Sequence, residues 1–270
     1  MALTITSPAN ATVKMLRGLH AKKGRTETGL FLAEGARLAA EAADLGATPA
    51  FLAVAESALA RPATAALVRR LDAAGAKVMI TTEAILQTIS KRDNAQTVIA
   101  AFRQPPTPLS ALNAQTGKLF VALEGVRDPG NLGTIWRTAD AVGADGLILI
   151  GQTCDPFSLE AVRATMGSVF AAPLARCDFP AFDAWRRAGG LSVFGASLKG
   201  ARMVETAAVP RCVALMGNEQ SGLPPEMEAA CDGLIKLPMA GRADSLNLAA
   251  ATSAFLYDLW RRRGYEGARD

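Results

Sequence analysis

Two stretches of alternating strand and helix signals, joined by a segment rich in proline and small polar residues, predict an α/β protein of two domains. Three observations carry this. In the second half, "LFVALE", "GLILIG", "LSVFGAS", "CVALMG" and "DGLIKLP" are nearly continuous apolar runs, as strands buried on both faces are, so a mostly parallel sheet covered by helices is expected. In the first half, "LFLAEG", "AFLAV", "KVMITT" and "QTVIAAFR" alternate with alanine-rich helical segments such as "GARLAAEAADLG", the pattern of a small α/β domain. Between them, "FRQPPTPLSALNAQTGK" at 102–118 reads as a connection. The expected boundaries are 1–103, a linker over 104–118, and 119–270.

The elements follow in order. The chain opens on a basic helix and its exit, "KMLRGLHAKKGR", which gathers Lys14, Arg17, Lys22, Lys23 and Arg25. A solvated helix face explains such a run as well as a polyanion site does. After "LFVALE" comes "DPGNLGTIWRTADAVG", where Leu132, Ile135, Trp136, Ala139 and Val142 recur at the spacing of a core-facing helical stripe. Arg137 interrupts nothing in that stripe, and Gly133, one turn earlier, leaves a bare patch of helix beneath it. The last helix, in "SLNLAAATSAFLYDLWRRR", begins at Ser245 as N-cap and ends in arginines that suit the negative end of a helix. The tail "GYEGARD" is expected to be loose.

Composition narrows the chemistry. The 270 residues are half hydrophobic and one-fifth charged, enough apolar content for a substantial core. No apolar run reaches the ~18 residues of a membrane span. The opening stretch lacks the apolar centre of a secretory signal; it is basic with no acid before Glu27, which a mitochondrial leader shares with an ordinary basic helix. Cys154, Cys177, Cys212 and Cys231 are far apart, and His20 is the single histidine, so no metal site is expected and the usual triads are excluded. A reducing, cytoplasmic setting follows. The net charge of +4 is compatible with a polyanionic partner without requiring one.

Parallel α/β sheets bind ligands beyond the carboxyl ends of their strands. Three loops at such ends are dense in glycine and short polar side chains: "GVRDPGNLG", "NEQSGLP" and "MAGRADSLN". None is a dinucleotide turn or a phosphate loop, which disfavours a dehydrogenase or a P-loop NTPase. Taken together, "NLGTIWR" (Asn-x-Gly-x-x-x-Arg), "LMGNEQSGL" and "LPMAGRADSLN" resemble, in order and spacing over 119–263, the three motifs of the SpoU or TrmH-type RNA 2'-O-ribose methyltransferases of the SPOUT superfamily. "FLAEGARL", after the basic helix, is similar to the F-L-x-E-G-x-R-L pattern of that family's L30e-like substrate-binding domain.

The resemblance implies an α/β catalytic domain with a C-terminal trefoil knot, a homodimer, S-adenosyl-L-methionine as methyl donor, and a ribose 2'-hydroxyl of structured RNA as acceptor, ribosomal RNA before transfer RNA. Carried over by position, Gly217, Leu237 and Leu246, with Leu215, Met216 and Met239 beside them, would hold the donor. Arg137, Asn131, Glu219, Ser245 and Asn247 would be the catalytic set, although Ser245 and Asn247 also suit helix capping. Lys14, Arg17, Lys22, Lys23, Arg25 and Arg163 would meet RNA. The sequence departs from the family at Trp136, where an aliphatic residue is more usual, and at Leu159, Glu160 and Thr165, which replace Pro, Lys and Ser. A catalytically silent RNA-binding or ribosome assembly factor of the same fold is the competing class. Retention of all five catalytic positions argues against it.

Overall fold

In chain order the elements are β1 (Leu3–Thr4), α1 (Ala11–Gly18), α2 (Lys22–Thr28), β2 (Leu30–Glu34), α3 (Ala36–Asp44), β3 (Phe51–Ala55), α4 (Pro62–Ala73), β4 (Lys77–Thr81), α5 (Glu83–Ser90) and β5 (Val98–Arg103). There follow β6 (Leu119–Glu124), α6 (Pro129–Ala141), β7 (Gly146–Ile150), α7 (Leu159–Thr165), β8 (Leu174–Cys177) and α8 (Phe179–Gly189). The chain closes with β9 (Ser192–Arg202), β10 (Cys212–Met216), α9 (Pro225–Ala230), β11 (Gly233–Lys236) and α10 (Leu248–Arg262). This computed structural model describes residues 3–202 and 211–269, so the first two residues of the basic opening and the last of the tail fall outside it. The chain folds as two compact units, Met1–Pro105 with Asp155–Phe170, and Pro106–Cys154 with Ala171–Asp270.

The first unit is a five-stranded sheet in the order β1-β4-β3-β5-β2. Strands β1, β4 and β3 run parallel, and β5 is antiparallel to both β3 and β2. The four apolar runs of the first half are β2 to β5; β1, with two residues, is too short to leave a pattern.

Residues 155–170, which sequence adjacency assigns to the second domain, pack in this first unit. Apolar burial and two ion pairs explain why. Phe31 of β2 and Phe102 of β5 form a ring cluster with Phe157 and Phe170, with centroids 4.6 to 6.0 Å apart. Arg163 pairs with the buried carboxylate of Glu34. Arg25 is buried and donates through Nε and Nη2 to Asp155 at 2.9 and 2.7 Å, and through Nη1 to the carbonyls of Leu19 and His20. A guanidinium saturated in this way braces the fold. Arg25 and Arg163 therefore leave the set of free cations expected to meet RNA. Lys14, Arg17, Lys22 and Lys23 remain exposed on α1 and α2. His20 donates from Nε2 to the carbonyl of Ile89, and burial holds its pKa below the ordinary imidazole value, so it is a structural group here.

The second unit is a six-stranded sheet in the order β11-β9-β10-β6-β7-β8, parallel at every pairing among the described residues. Its five longer apolar runs match β6, β7, β9, β10 and β11; β8 leaves no such run, since "LARC" is short and carries an exposed arginine. Much of the stretch expected as a linker belongs to this unit. Thr107 accepts from the Arg176 amide, and Leu112 and Ala114 are buried in the core with Phe120, Phe182 and Val213. Close packing fixes them: a Cβ on Gly146 would strike Leu112, and one on Gly189 would strike Ala114.

The stripe on α6 is buried as read, with Asp128 as N-cap and Pro129 at the first helical position. Trp136 is fully buried, and its indole N–H reaches the Ala172 carbonyl at 2.9 Å, so this departure from the family is a satisfied packing choice. Gly133 is buried as well, so the bare helix patch is covered by protein and does not offer a surface to nucleic acid. The N-cap of α10 is Asn247 instead of Ser245. The tail is anchored: Trp260 donates to the Glu266 carbonyl at 2.9 Å, and Lys118 pairs with the Glu266 carboxylate. Among the described residues no helix is long and apolar enough to cross a membrane.

Because 155–170 complete the first unit, Phe157→Ala is expected to cost about 3–5 kcal/mol through the cavity it leaves. Asp155→Ala, which strands a buried guanidinium, is expected to cost a similar amount. Urea denaturation measures both, and a change under 1 kcal/mol in each would show that the segment is not part of that core.

Candidate active site

Since the described strands of the second sheet all run the same way, the carboxyl ends of β6, β10 and β11 gather their loops at one edge. A cleft of about 430 Å3 opens there, within the range of small-molecule sites. One wall is the middle of β9, with Ala196, Ser197 and Leu198, where its register with β11 shifts; the floor is Met216 and Gly217 at the end of β10. Leu237, Met239, Ser245 and Leu246 from the segment between β11 and α10 close the other side.

Glycine is required at the floor for a definite reason. A Cβ on Gly217 would lie 2.2 to 2.4 Å from the backbone of Gly222 and Leu223. The loop returns on itself: Asn218 and Gly222 exchange backbone hydrogen bonds at 3.1 and 2.9 Å, and Gly222 takes φ +67°. The close approach expected toward a ligand is thus first a close approach of the chain to itself. The Asn218 side chain ties this loop to the next strand, donating to the Gly125 carbonyl at 2.8 Å and accepting from the Gln220 amide at 3.0 Å.

Three polar side chains from three distant loops meet beside the cleft. Asn247 accepts with Oδ1 from the amides of Ala249 and Ala250, capping α10, and donates with Nδ2 to Asn131 Oδ1 at 2.9 Å. Asn131, held at the start of α6 by Asp128, donates in turn to Glu219 Oε1 at 3.3 Å. Both amides are thereby oriented, with the donor direction ending on a carboxylate. Nearby, burial raises the Glu124 pKa above the ordinary carboxylate value, an effect opposed by the Asn218 backbone and by the charge of Arg127. Behind the β9 wall, Ser197 and Lys199 both bond Glu228 at 2.9 Å, and Lys199 holds that carboxyl below its usual range.

Of the eleven catalytic and donor-site positions read from the sequence, the cleft gathers nine: Glu219, Ser245, Asn247, Met216, Gly217, Leu237, Met239 and Leu246 line it, and Asn131 joins through its hydrogen bonds. Leu215 does not line it; it is fully buried in the core, on the face of β10 opposite Met216. Arg137 is also apart. It is exposed six residues beyond Asn131 on α6, about 9 Å along the helix and on another face, and lines neither this cleft nor the smaller one beside it. Sequence reading missed Ala196, Ser197 and Leu198, because a site formed by the middle of a strand, where its register with β11 shifts, leaves no loop signal. Among the described residues, no group of three or more His, Cys, Asp or Glu could hold a metal ion.

Gly217→Ala is expected to displace the 217–222 turn, lowering both thermal stability and ligand binding in the cleft. Asn247→Asp separates two roles, keeping the cap while removing the amide donor. Melting within a few degrees of wild type with turnover down by about 100-fold is expected; unchanged turnover would show that the amide is only a cap.

Comparison with known proteins agrees with this geometry. Residues 118–257 match the model of the SpoU rRNA methylase family, and residues 10–100 that of the MRM3-like substrate binding domain. The 23S rRNA (guanosine(2553)-2'-O)-methyltransferase RlmP of Bacillus subtilis is 31% identical over 94% of this chain and 98% of its own length. A crystal structure of an AdoMet-bound rRNA methyltransferase from Sinorhizobium meliloti superposes with a TM-score of 0.89 at 45% identity, covering 96% of this chain and 98% of that one. The SpoU methyltransferase AviRb of Streptomyces viridochromogenes, also in complex with AdoMet, gives 0.84 at 29% identity over 96% and 100%.

Proposed function

We propose a specific mode of action for this chain, which belongs to the SpoU rRNA methylase family. It is an RNA 2'-O-ribose methyltransferase that uses S-adenosyl-L-methionine. Its substrate is ribosomal RNA, and it works as a homodimer in the cytoplasm, with the family's knotted path in the second unit. The observation that carries this reading is the convergence of Asn131, Glu219 and Asn247 at the rim of an apolar cleft floored by Gly217.

The residues present fit the donor. Met216, Leu237, Met239, Leu246 and Leu198 offer apolar surface to a purine, while the turn at Gly217 exposes backbone groups to it. The bound donor supplies an electrophilic methyl group on a sulfonium. The chain must then place a 2'-hydroxyl oxygen in line with that methyl and let its proton leave. Asn131 and Glu219, each fixed by a neighbour, orient the ribose, and holding it in one pose removes much of the entropic barrier. No histidine serves as base, because the single histidine, His20, lies in the other unit with its Nε2 engaged by the Ile89 carbonyl.

Arg137 has the geometry to grip a phosphate next to the target ribose with two hydrogen bonds, which would let that phosphate share in taking the proton. Since Arg137 stands away from the cleft of its own chain, the partner subunit's copy is the one that completes the site. Lys14, Arg17, Lys22 and Lys23 on the first unit recruit the RNA.

Labelled S-adenosylmethionine with separated ribosomal and transfer RNA tests the reading: label is expected in ribosomal RNA, in an alkali-resistant dinucleotide. Label in transfer RNA alone, or in neither, would overturn it. Arg137→Ala is expected to keep donor binding and lose at least ~100-fold in turnover. Mixing inactive Arg137→Ala with inactive Asn131→Ala subunits is expected to restore activity through one hybrid site per dimer; failure of exchanged heterodimers to recover would contradict a shared site. Replacing the four exposed cations by glutamate is expected to weaken RNA binding and to flatten its log–log salt dependence by about 3, at roughly 0.7–0.9 per phosphate contact.

A further inference from the structure

Next to the donor cleft lies a second cavity of about 320 Å3, and the two share Asn218, Glu219 and Asn247 as a common wall. The lining differs in kind. The first cavity is mostly leucine, methionine, isoleucine and glycine; the second is polar or charged at every position, its remaining residues being Arg127, Asp128, Asn131 and Gln220. An apolar chamber that takes a purine and a polar chamber that opens onto the same rim are the arrangement a two-substrate transfer needs.

Most polar groups of the second chamber are already engaged. Asp128 Oδ1 accepts from the Asn131 amide at 2.6 Å, Asn218 is bonded to Gly125 and Gln220, and Asn131, Glu219 and Asn247 form the series described above. Arg127 is the exception that carries charge. It is exposed, its guanidinium makes no hydrogen bond or ion pair with any described residue, and it is the one cation on a wall that also bears two carboxylates. A free cation beside two anions, at the mouth of a chamber sized for a nucleotide sugar, is suited to an anion brought by the ligand, and the planar fork of arginine fits phosphate oxygens two at a time.

We infer that Arg127 is a substrate-binding residue, gripping the phosphate that flanks the acceptor ribose while the ribose sits at the rim shared by the two cavities. It holds the RNA from within the same subunit whose cleft takes the donor. The inference rests on the reading of this site as an RNA ribose methyltransferase. A purely structural alternative exists, since Arg127 also offsets the burial of the neighbouring Glu124 carboxyl. The two roles differ in what they move.

The test compares wild type, Arg127→Ala and Arg127→Lys in steady-state methyl transfer to ribosomal RNA, in donor binding, in RNA binding against salt, and in thermal melting. Arg127→Ala is expected to raise KM for RNA at least 10-fold, leave kcat within about threefold, and reduce the log–log salt slope by about 0.7–0.9, one phosphate contact. Donor affinity and melting temperature stay at the wild-type values. Arg127→Lys is expected to recover the salt slope but only part of KM, because a single ammonium cannot make the paired contact. An active wild type whose Arg127→Ala form keeps KM and salt slope overturns the inference alone. A variant that melts lower and loses donor affinity in parallel with RNA affinity also overturns it, in favour of the structural role. A wild type that transfers no methyl group to RNA overturns the underlying reading and this inference with it.

Discussion

The catalytic edge of this protein depends on one chain of hydrogen bonds, from Asn247 to Asn131 to Glu219. It spans three loops that are 88 and 116 residues apart in sequence. Each member has a second commitment that fixes it: Asn247 caps α10, Asn131 is held in the first turn of α6, and Glu219 rides on the turn closed by Gly217 and Gly222. An amide that caps a helix with its oxygen has its nitrogen directed outward by necessity. The position of the helix start therefore decides the direction of a site hydrogen bond. The cap of α10 and the hydrogen bond to Asn131 are set by the same side chain.

The second dependence is of backbone on backbone. The turn after β10 can fold over only because two glycines let main chain pass main chain, and the apolar cleft lies against that crossing. Around it the sheet is rigid and apolar, with Val213, Leu215, Phe120 and Ile148 fully buried. A rigid platform carrying short polar loops agrees with a reaction whose main demand is placement. The covalent activation arrives with the donor, which leaves the protein to align a weak nucleophile.

Much of this was legible in the residues. Apolar runs identified the long buried strands of both sheets because burial on two faces leaves an uninterrupted pattern, and the three loop motifs pointed to the cleft. What escaped were features decided by partners remote in sequence. Arg25 looks like one more cation in a basic run, and only Asp155, 130 residues away, makes it a buried brace. The 155–170 segment sits between strands of the second sheet, yet Phe157 and Phe170 find their apolar surface on β2 and β5. Gly133 in a helix is equally compatible with an open patch and with close packing, and burial settles it for packing. Ser245 and Asn247 are both good caps, and the extra hydrogen bond to Asn131 accompanies the choice of Asn247.

The chain passes between its two units three times, at 105, 154 and 170, so the RNA-recruiting and catalytic parts are interleaved. Under the proposed function, the exposed cations of α1 and α2 recruit the ribosomal RNA that the loops of the second sheet methylate. The most direct measurement of that central claim is a nucleotide-resolution map of ribose methylation in the ribosomal RNA of cells with and without this gene. The account predicts loss of 2'-O-methylation at a defined ribosomal position on deletion, with recovery when purified protein and S-adenosylmethionine are added to the deletion-strain RNA. An unchanged ribosomal map alongside a lost methyl group in transfer RNA, or no lost methyl group at all, would contradict it.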